Sequence, residues 1–454
     1  MLNPIRISVV LGLIVLGLGA YILFIDIPQT RQIEQHIKQD RQILPFDDRA
    51  VTRMLWASKT DTIELARDDQ FRWSIINPIQ SPADNQEIRR LLRALTIGKI
   101  KRTIEGEDGH PLDLSEYGLA PPYLTLTLST PSESVEFSLG DRGPFAPSLY
   151  VQTKPDNQVV LTTLDVMTFA QKNLTNFRLK DLLLFDRERV QEIRIQNKYG
   201  EIMLQRVAGV HSLTPNWMFL SPNPGPADKT TITTLLMELD GLRAIGFVDP
   251  EQEKIAIRQQ EAKSHAAITL MEGSLIHHLD IFQYGDAEKT FAVKTSNDPL
   301  YEIPPNILGP LTRDPFYFQD KRLFGLEVAD LAMLSVQTPD ERYVLIHQHD
   351  EWVLEDNPSA TLDQNVLNLF ISRVVDVPAE IYLPRAESED GHIQSPTAII
   401  RGVNRQGKEL GKLVLGKREK GLVLAEGAGL KGLYQVRSTI LDQLPSKASL
   451  LQGQ

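Results

Sequence analysis

The sequence predicts an α+β protein, in which an N-terminal transmembrane helix precedes three tandem repeats of about 140 residues, each a mostly antiparallel sheet with helices. Three observations predict it. An uncharged run lies near the amino terminus, a tryptophan-anchored helix recurs three times in register, and a glycine closes an apolar strand in every repeat.

The uncharged run, ISVVLGLIVLGLGAYILFI, covers Ile7 to Ile25, 19 residues. As a helix it spans about 28 Å at ~1.5 Å per residue, the thickness of a bilayer core. A cleaved signal peptide has a shorter apolar region that ends at small residues, whereas this run ends in Tyr21, Ile22, Leu23 and Phe24. An uncleaved anchor is therefore expected, with the lipid bilayer as a partner. Arg6 on one flank competes with Arg31, Lys38 and Arg41 on the other, so charge alone leaves orientation open; the short basic start favours a cytoplasmic amino terminus. No second run of spanning length follows, which places the rest of the chain on one side. The polar stretch PQTRQIEQHIKQDRQ reads as a stalk, with Ile33 and Ile37 one helical turn apart.

Counting forward from Trp73, Trp217 and Trp352 gives the repeat. Asp84, Asp228 and Asp363 lie at +11; Ile88, Ile232 and Leu367 at +15; Leu91, Leu235 and Phe370 at +18; Leu92, Leu236 and Ile371 at +19; Leu95, Leu239 and Val374 at +22. The last four offsets are the i, i+3, i+4, i+7 pattern of an amphipathic helix, and the aspartate sits where an N-cap belongs. Asp84 with Glu87 resembles a capping box. Phe46, Phe185 and Phe324 recur 139 residues apart near the start of each repeat, and Gly140, Gly285 and Gly416 each close an apolar run. The strands LYVQT, FAVKT and LVLAE that follow read as hairpins, and a short helix is expected around Leu164 to Gln171, Pro305 to Leu311 and Ser438 to Leu444. The organisation is residues 1–43 for anchor and stalk, then repeats over 44–183, 184–322 and 323–454. In FRWSIINP the alternation Phe71, Trp73, Ile75 marks a buried face, as do Trp217 and Phe219, so the tryptophans read as core; the competing reading is a platform for sugars.

Composition bounds the function. A chain of 454 residues, 42% apolar and 24% charged, is long enough for several cores. Its net charge of −11 argues against nucleic acid as the main partner, and no concentrated basic face is expected. The lack of cysteine removes disulfides, thiol nucleophiles and zinc-thiolate sites.

Several matches to catalytic motifs have a simpler account. GKLVLGKR, Gly411 to Arg418, has the spacing of a phosphate loop, but Arg418 replaces the hydroxyl residue and the repeat places the segment on a strand. GAGLKG, Gly427 to Gly432, leads into the strand LYQV where a dinucleotide site needs a helix. Nucleotide is accordingly not expected. Glu-Asp-Gly-His occurs at Glu107 to His110 and at Glu389 to His392, a pattern open to a metal or to acid/base work but placed where a turn follows the long helix. His347, Gln348, His349 and Asp350 are weighed in the same way. No GxSxG or HExxH is present. No catalytic, cofactor or metal residue is assigned, and a non-enzyme is expected.

The run from Thr62 to Leu128, with its Trp73 hairpin, the lead-in Pro78 to Asp84, the amphipathic helix and Tyr117-Gly118-Leu119 before Pro121 and Pro122, resembles DUF family 4340, an uncharacterised bacterial family. The resemblance is good over the first repeat, fair over the second and weak over the third. It implies one N-terminal anchor in the bacterial inner membrane, the remainder extracytoplasmic, and association with an ABC-type permease, its ATPase and a gliding-motility-type auxiliary subunit. The function so implied is a membrane-anchored, non-catalytic accessory or scaffold protein of the cell envelope; the alternatives are a protein that binds envelope polymer (glycan), or a metal-dependent hydrolase using the His110 and His392 loops.

Overall fold

The computed structural model describes residues 42–106, 111–165, 167–170, 172–207, 216–249, 254, 257, 262–284, 289–295, 298–383, 393–430 and 432–451. The anticipated helix over 7–25 lies outside them, and among the described residues no helix is long and apolar enough to cross a membrane.

The architecture is α+β, with three antiparallel sheets. The first contains β1 (Arg53–Ser58), β2 (Thr62–Arg67), β3 (Trp73–Asn77), β4 (Ser81–Pro82), β5 (Ile100–Ile104), β6 (Leu124–Ser129), β7 (Ser134–Arg142), β8 (Leu149–Lys154) and β9 (Gln158–Thr162). Their spatial order is β4-β3-β2-β1-β6-β7-β8-β9-β5. Helix α1 (Asn85–Ile97) leaves β4 at one edge and delivers the chain to β5 at the other. It must therefore traverse one face of the sheet, and the sequence alternates accordingly: in β6, Leu124, Leu126 and Leu128 are buried while the threonines between them are half exposed. Ile88, Leu91, Leu92 and Leu95 of α1 join Trp56, Ile63, Leu65 and Phe137 in one core. Each such side chain contributes roughly 1.5–3 kcal/mol on burial.

The second sheet repeats this order with nine strands, from β10 (Glu192–Asn197) to β18 (Leu300–Ile303), and α2 (Lys229–Asp240) takes the place of α1. The third has eight strands, β19 (Met333–Gln337) to β26 (Leu433–Arg437), and α3 (Gln364–Val375); the short edge strand is missing and the rest of the order is kept. All three helices carry the expected aspartate cap. Asp84 accepts from the N–H groups of Gln86 and Glu87, Asp228 from that of Thr231, and Asp363 from those of Asn365 and Val366. The capping box is only half made: the Glu87 carboxylate turns to Arg90 and Lys172 instead of to the cap.

Two contacts absent from the sequence reading recur as well. The N–H of each capping aspartate donates to a carbonyl in a final helical turn, Asp84 to Phe177 (2.8 Å), Asp228 to Phe318 (2.8 Å) and Asp363 to Leu450 (3.3 Å). The segment leading into each repeat, one or two residues ahead of the expected bound at Ile43 and Leu182 and at the bound itself at Leu323, pairs with the stretch just after the long helix, through Ile43 to Gly98, Leu182 to Leu242 and Leu323 to Val377. The short helices foreseen before these turns are present at Met167–Ala170, Leu308–Leu311 and Thr439–Asp442.

Gly140 falls where the β7–β8 register shifts between Leu139 and Arg142, and Gly416 at the matching shift between Leu415 and Arg418. These are bulges, which leave a strand residue unpaired and bend the strand. At Gly140 a Cβ would strike the Tyr117 carbonyl oxygen and Leu119, while Gly118 takes a left-handed φ of 64°. The Tyr-Gly-Leu signature and the recurring glycine are thus two sides of one close approach.

Contacts group the chain into two compact units, Met1–Lys180 and Asp181–Gln454, so the second and third sheets share a unit. Inside that unit Phe316, from the last turn of the second repeat, stacks on Tyr434 of the third sheet at 6.0 Å, and the Lys321 ammonium lies 5.5 Å from the Phe316 ring centre.

Candidate functional site

The three landmark tryptophans are core. Trp73, Trp217 and Trp352 are each at most 5% exposed. What lies over each ring comes from the residue directly opposite on the neighbouring strand: the Arg67 guanidinium at 5.7 Å, that of Arg206 at 5.1 Å, and the His347 imidazole at 4.9 Å. A guanidinium over an indole face, as at Trp73 and Trp217, is worth about 0.5–2 kcal/mol, and at Trp352 a tilted imidazole takes the same place. None of these three rings is left open for a sugar to stack on. Phe71 corrects the expected alternation: it lies 72% exposed in a turn with φ of 62°, not on the buried face with Trp73 and Ile75.

The suspected ligand clusters resolve differently. Glu107 to His110 and Glu389 to His392 lie outside the described residues. His349 and Asp350 are the two central residues of the hairpin joining Arg342–Gln348 (β20) to Glu351–Leu354 (β21), with φ of 47° and 66°. Two positive φ values in a two-residue loop are what a tight hairpin with strand-matched twist requires. His347 is spent on Trp352. Among the described residues no group of three or more His, Cys, Asp or Glu is arranged to hold a metal ion.

Gly411 to Arg418 runs along Glu409–Glu419 (β24), where Gly411 to Leu415 pair with Ala398–Val403 on one side and Leu413 to Leu415 and Arg418 with the next strand on the other, so the segment is a strand with a bulge at Gly416 and Lys417 and not a phosphate-binding loop. Gly427 ends Leu422–Gly427 (β25), and Gly429 donates its N–H to the Leu323 carbonyl at 2.9 Å. Both glycines exist to let the start of the third repeat lie against the turn. Between β24 and β25 lies a shallow groove of about 370 Å³ bordered by Glu409, Lys412 and Glu426. The Glu426 carboxylate is already used by the Ile393 N–H.

Elsewhere the polar side chains serve the fold. On the second sheet, Asp280 of Leu275–Tyr284 (β16) stands between the imidazoles of His265 (3.7 Å) and His278 (3.5 Å), and Thr269 hydrogen-bonds His278 Nδ1 at 2.9 Å. Glu272, buried, draws together His277, Arg189 and the Asp186 N–H. Burial holds the Lys294 ammonium below the usual lysine range, partly offset by Asp298 and Asp181.

One surface departs from expectation. The net charge argued against a concentrated basic face, yet the outer side of α1 and the adjoining edge strand β5 form one. Arg89, Arg90, Arg93, Lys99 and Lys101 are exposed there, and Arg102 is exposed on the other face of the same edge strand. Averaging over 454 residues hid it, because along the whole chain 59 acidic residues outweigh 48 basic ones.

No curated protein and no solved structure matches the chain. A family model does, twice, over residues 73–264 and 217–396. The two matches open on Trp73 and Trp217, the same position of consecutive repeats, and end at the start of equivalent strands, within Ala262–Glu272 and just ahead of Ala398–Val403. The family's domain therefore runs from one tryptophan hairpin past the next, over more than a single sheet. On that span, which includes the capped helix and the Tyr117-Gly118-Leu119 turn, the chain belongs to the family described as domain of unknown function DUF4340.

Proposed function

We propose that the protein is a membrane-anchored, non-catalytic accessory or scaffold subunit of the bacterial cell envelope, working with an ABC-type transport complex. The observation that carries this reading is the uncharged run Ile7–Ile25 set directly ahead of repeated sheets. Such a chain has attachment, reach and several faces for partners. Of the residues that first resembled catalytic motifs, Gly411 to Arg418 serve as ladder, His349 and Asp350 as hairpin and His347 as ring cover, which supports a binding role over a chemical one at those places. The bulk of the chain then lies outside the cytoplasm, tethered to the inner membrane, and its partners are a permease, an ATPase and an auxiliary subunit, as the family resemblance implies. The envelope-polymer alternative loses the residues it named, because all three tryptophan rings are covered.

The test is purification of tagged full-length protein from its own membranes in mild detergent, with cross-linking and mass identification. Stoichiometric recovery of a permease and its ATPase is the expected result. Recovery of the protein alone, or bound to wall polymer, overturns the proposal.

A further inference from the structure

We infer that the basic outer face of the first sheet, formed by α1 and β5, docks on the anionic lipid head groups of the membrane in which the chain is anchored. The inference rests on the anchored reading above and adds to it a surface and a ligand.

The geometry of α1 produces one continuous stripe. Gln86, Arg89, Arg90, Arg93 and Ile97 are its exposed positions, spaced by three and four residues along the back of the helix. Beyond Gly98 the stripe passes to Lys99 and to Lys101, at the register shift of β5, the edge strand of the sheet; Arg102, directly opposite Leu161, lies on the other face of that strand. From Asn85 to Ile104 there are six cations and a single acid, Glu87, which is buried and held by Arg90 at 2.6 Å and by Lys172. Among the described residues no carboxylate lies within ion-pair distance of Arg89, Arg93, Lys99, Lys101 or Arg102. The acidic residues that follow begin only at Glu105.

Lys99 is matched by Arg243 in the second repeat, but at the helix positions the fold does not demand these charges. Where α1 has Arg89, Arg90 and Arg93, α2 has Thr233, Thr234 and Met237, and α3 has Asn368, Leu369 and Ser372. Edge strands are often protected from unwanted pairing by lysine or arginine. Yet the matching edges, Gly246–Val248 (β14) and Ile381–Leu383 (β22), carry no cation. Edge protection is therefore not the reason for Lys101 and Arg102.

The occupant follows from where the chain comes in. Gln42 bridges Lys99, and the Ile43 N–H donates to the Gly98 carbonyl, so the tether meets the sheet on the basic face itself. Only the sixteen residues from Asp26 to Arg41 separate that point from the apolar run. They reach about 24 Å as a helix and at most about 55 Å extended. A cationic surface on so short a lead is held within range of the head groups. Anionic lipids attract such a surface by about fivefold in population per cation. Ile97, 62% exposed at the end of the stripe, is placed to enter the boundary between head group and acyl chain.

The chain has no cysteine, so a thiol introduced by Ile97→Cys is unique. The full-length variant is placed in lipid nanodiscs of phosphatidylcholine, with or without phosphatidylglycerol, and labelled with a membrane-impermeant maleimide. Labelling should slow about tenfold with phosphatidylglycerol, and the protection should vanish in high salt or in an Arg89→Gln, Arg93→Gln, Lys101→Gln background. Met237→Cys, at the equivalent stripe of α2, should label equally in both lipids. Equal labelling of Ile97→Cys in both lipids overturns the inference, and so does protection that appears only when native membrane proteins are added, which would assign the face to an acidic protein. Failure of the anchor is read separately, as extraction of the full-length chain from native membranes by alkaline carbonate.

Discussion

At its buried positions α1 places Ile88, Leu91, Leu92 and Leu95 where α3 places Leu367, Phe370, Ile371 and Val374. At the exposed positions between them α1 carries arginine where α3 carries Asn368, Leu369 and Ser372. Both helices keep the aspartate cap and both cross a sheet of the same order. The inner stripe is dictated by the fold, because removing any of its side chains leaves a void under nine or eight strands. The outer stripe is free of that demand. Differences between repeats therefore collect on the outside, and a difference there is information about partners.

Substitutions can break this contrast, and the largest effects belong to the inner side. Trp73→Ala should destabilise the first unit by about 3–5 kcal/mol, and Leu95→Ala by about 2–5 kcal/mol, read as lost hydrogen-exchange protection of the α1 amides in a denaturant series. Equal protection in Trp73→Ala and wild type would contradict its place in the core. The caps come next: Asp84→Ala and Asp363→Ala should each cost about 1–2 kcal/mol, since each carboxylate accepts from two N–H groups. Asp228→Ala should cost less, toward about 0.5 kcal/mol, since its carboxylate accepts from one.

An alkaline titration sharpens the contrast on the third sheet. Burial, with Tyr382 adding, pushes the Tyr434 phenol up to about 12 from 10.0. Between those values the unfolded chain releases a proton that the folded chain retains, so this contribution is complete below pH 10 and is lost as pH rises toward 12. Tyr343, also raised by burial, acts in the same direction. Tyr434→Phe should flatten part of the fall, followed by unfolding midpoints across that range. The smallest effect is expected on the outer stripe, where Arg89→Gln and Arg93→Gln should leave stability within about 0.5 kcal/mol of wild type. A larger loss would make those arginines structural.

Much of the fold was legible because its strongest signal is periodic. Five offsets counted from three tryptophans located the helices, their caps and their buried stripes, and an apolar run closed by glycine located the bulges at Gly140 and Gly416. Less regular features escaped. The final turns ending in Phe177, Phe318 and Leu450 share a position and a hydrogen bond but little sequence, so nothing in the residues advertised them. His349 and Asp350 looked like ligands because residue type is visible in a sequence and a left-handed backbone is not. The face bearing Arg89, Arg93 and Lys101 was missed for another reason. Charge was summed along the chain, whereas a partner meets it by surface.

The hydrogen bond from each capping aspartate to the far end of its own repeat also bears on how the chain is made. A ribosome delivers Asp84 long before Phe177, and Asp228 long before Phe318, so the first turn of each long helix waits for its acceptor until that repeat is almost complete. Nascent chains should therefore become resistant to protease in steps, one at each of these carbonyls, and a chain stopped just short of one should remain open to cleavage.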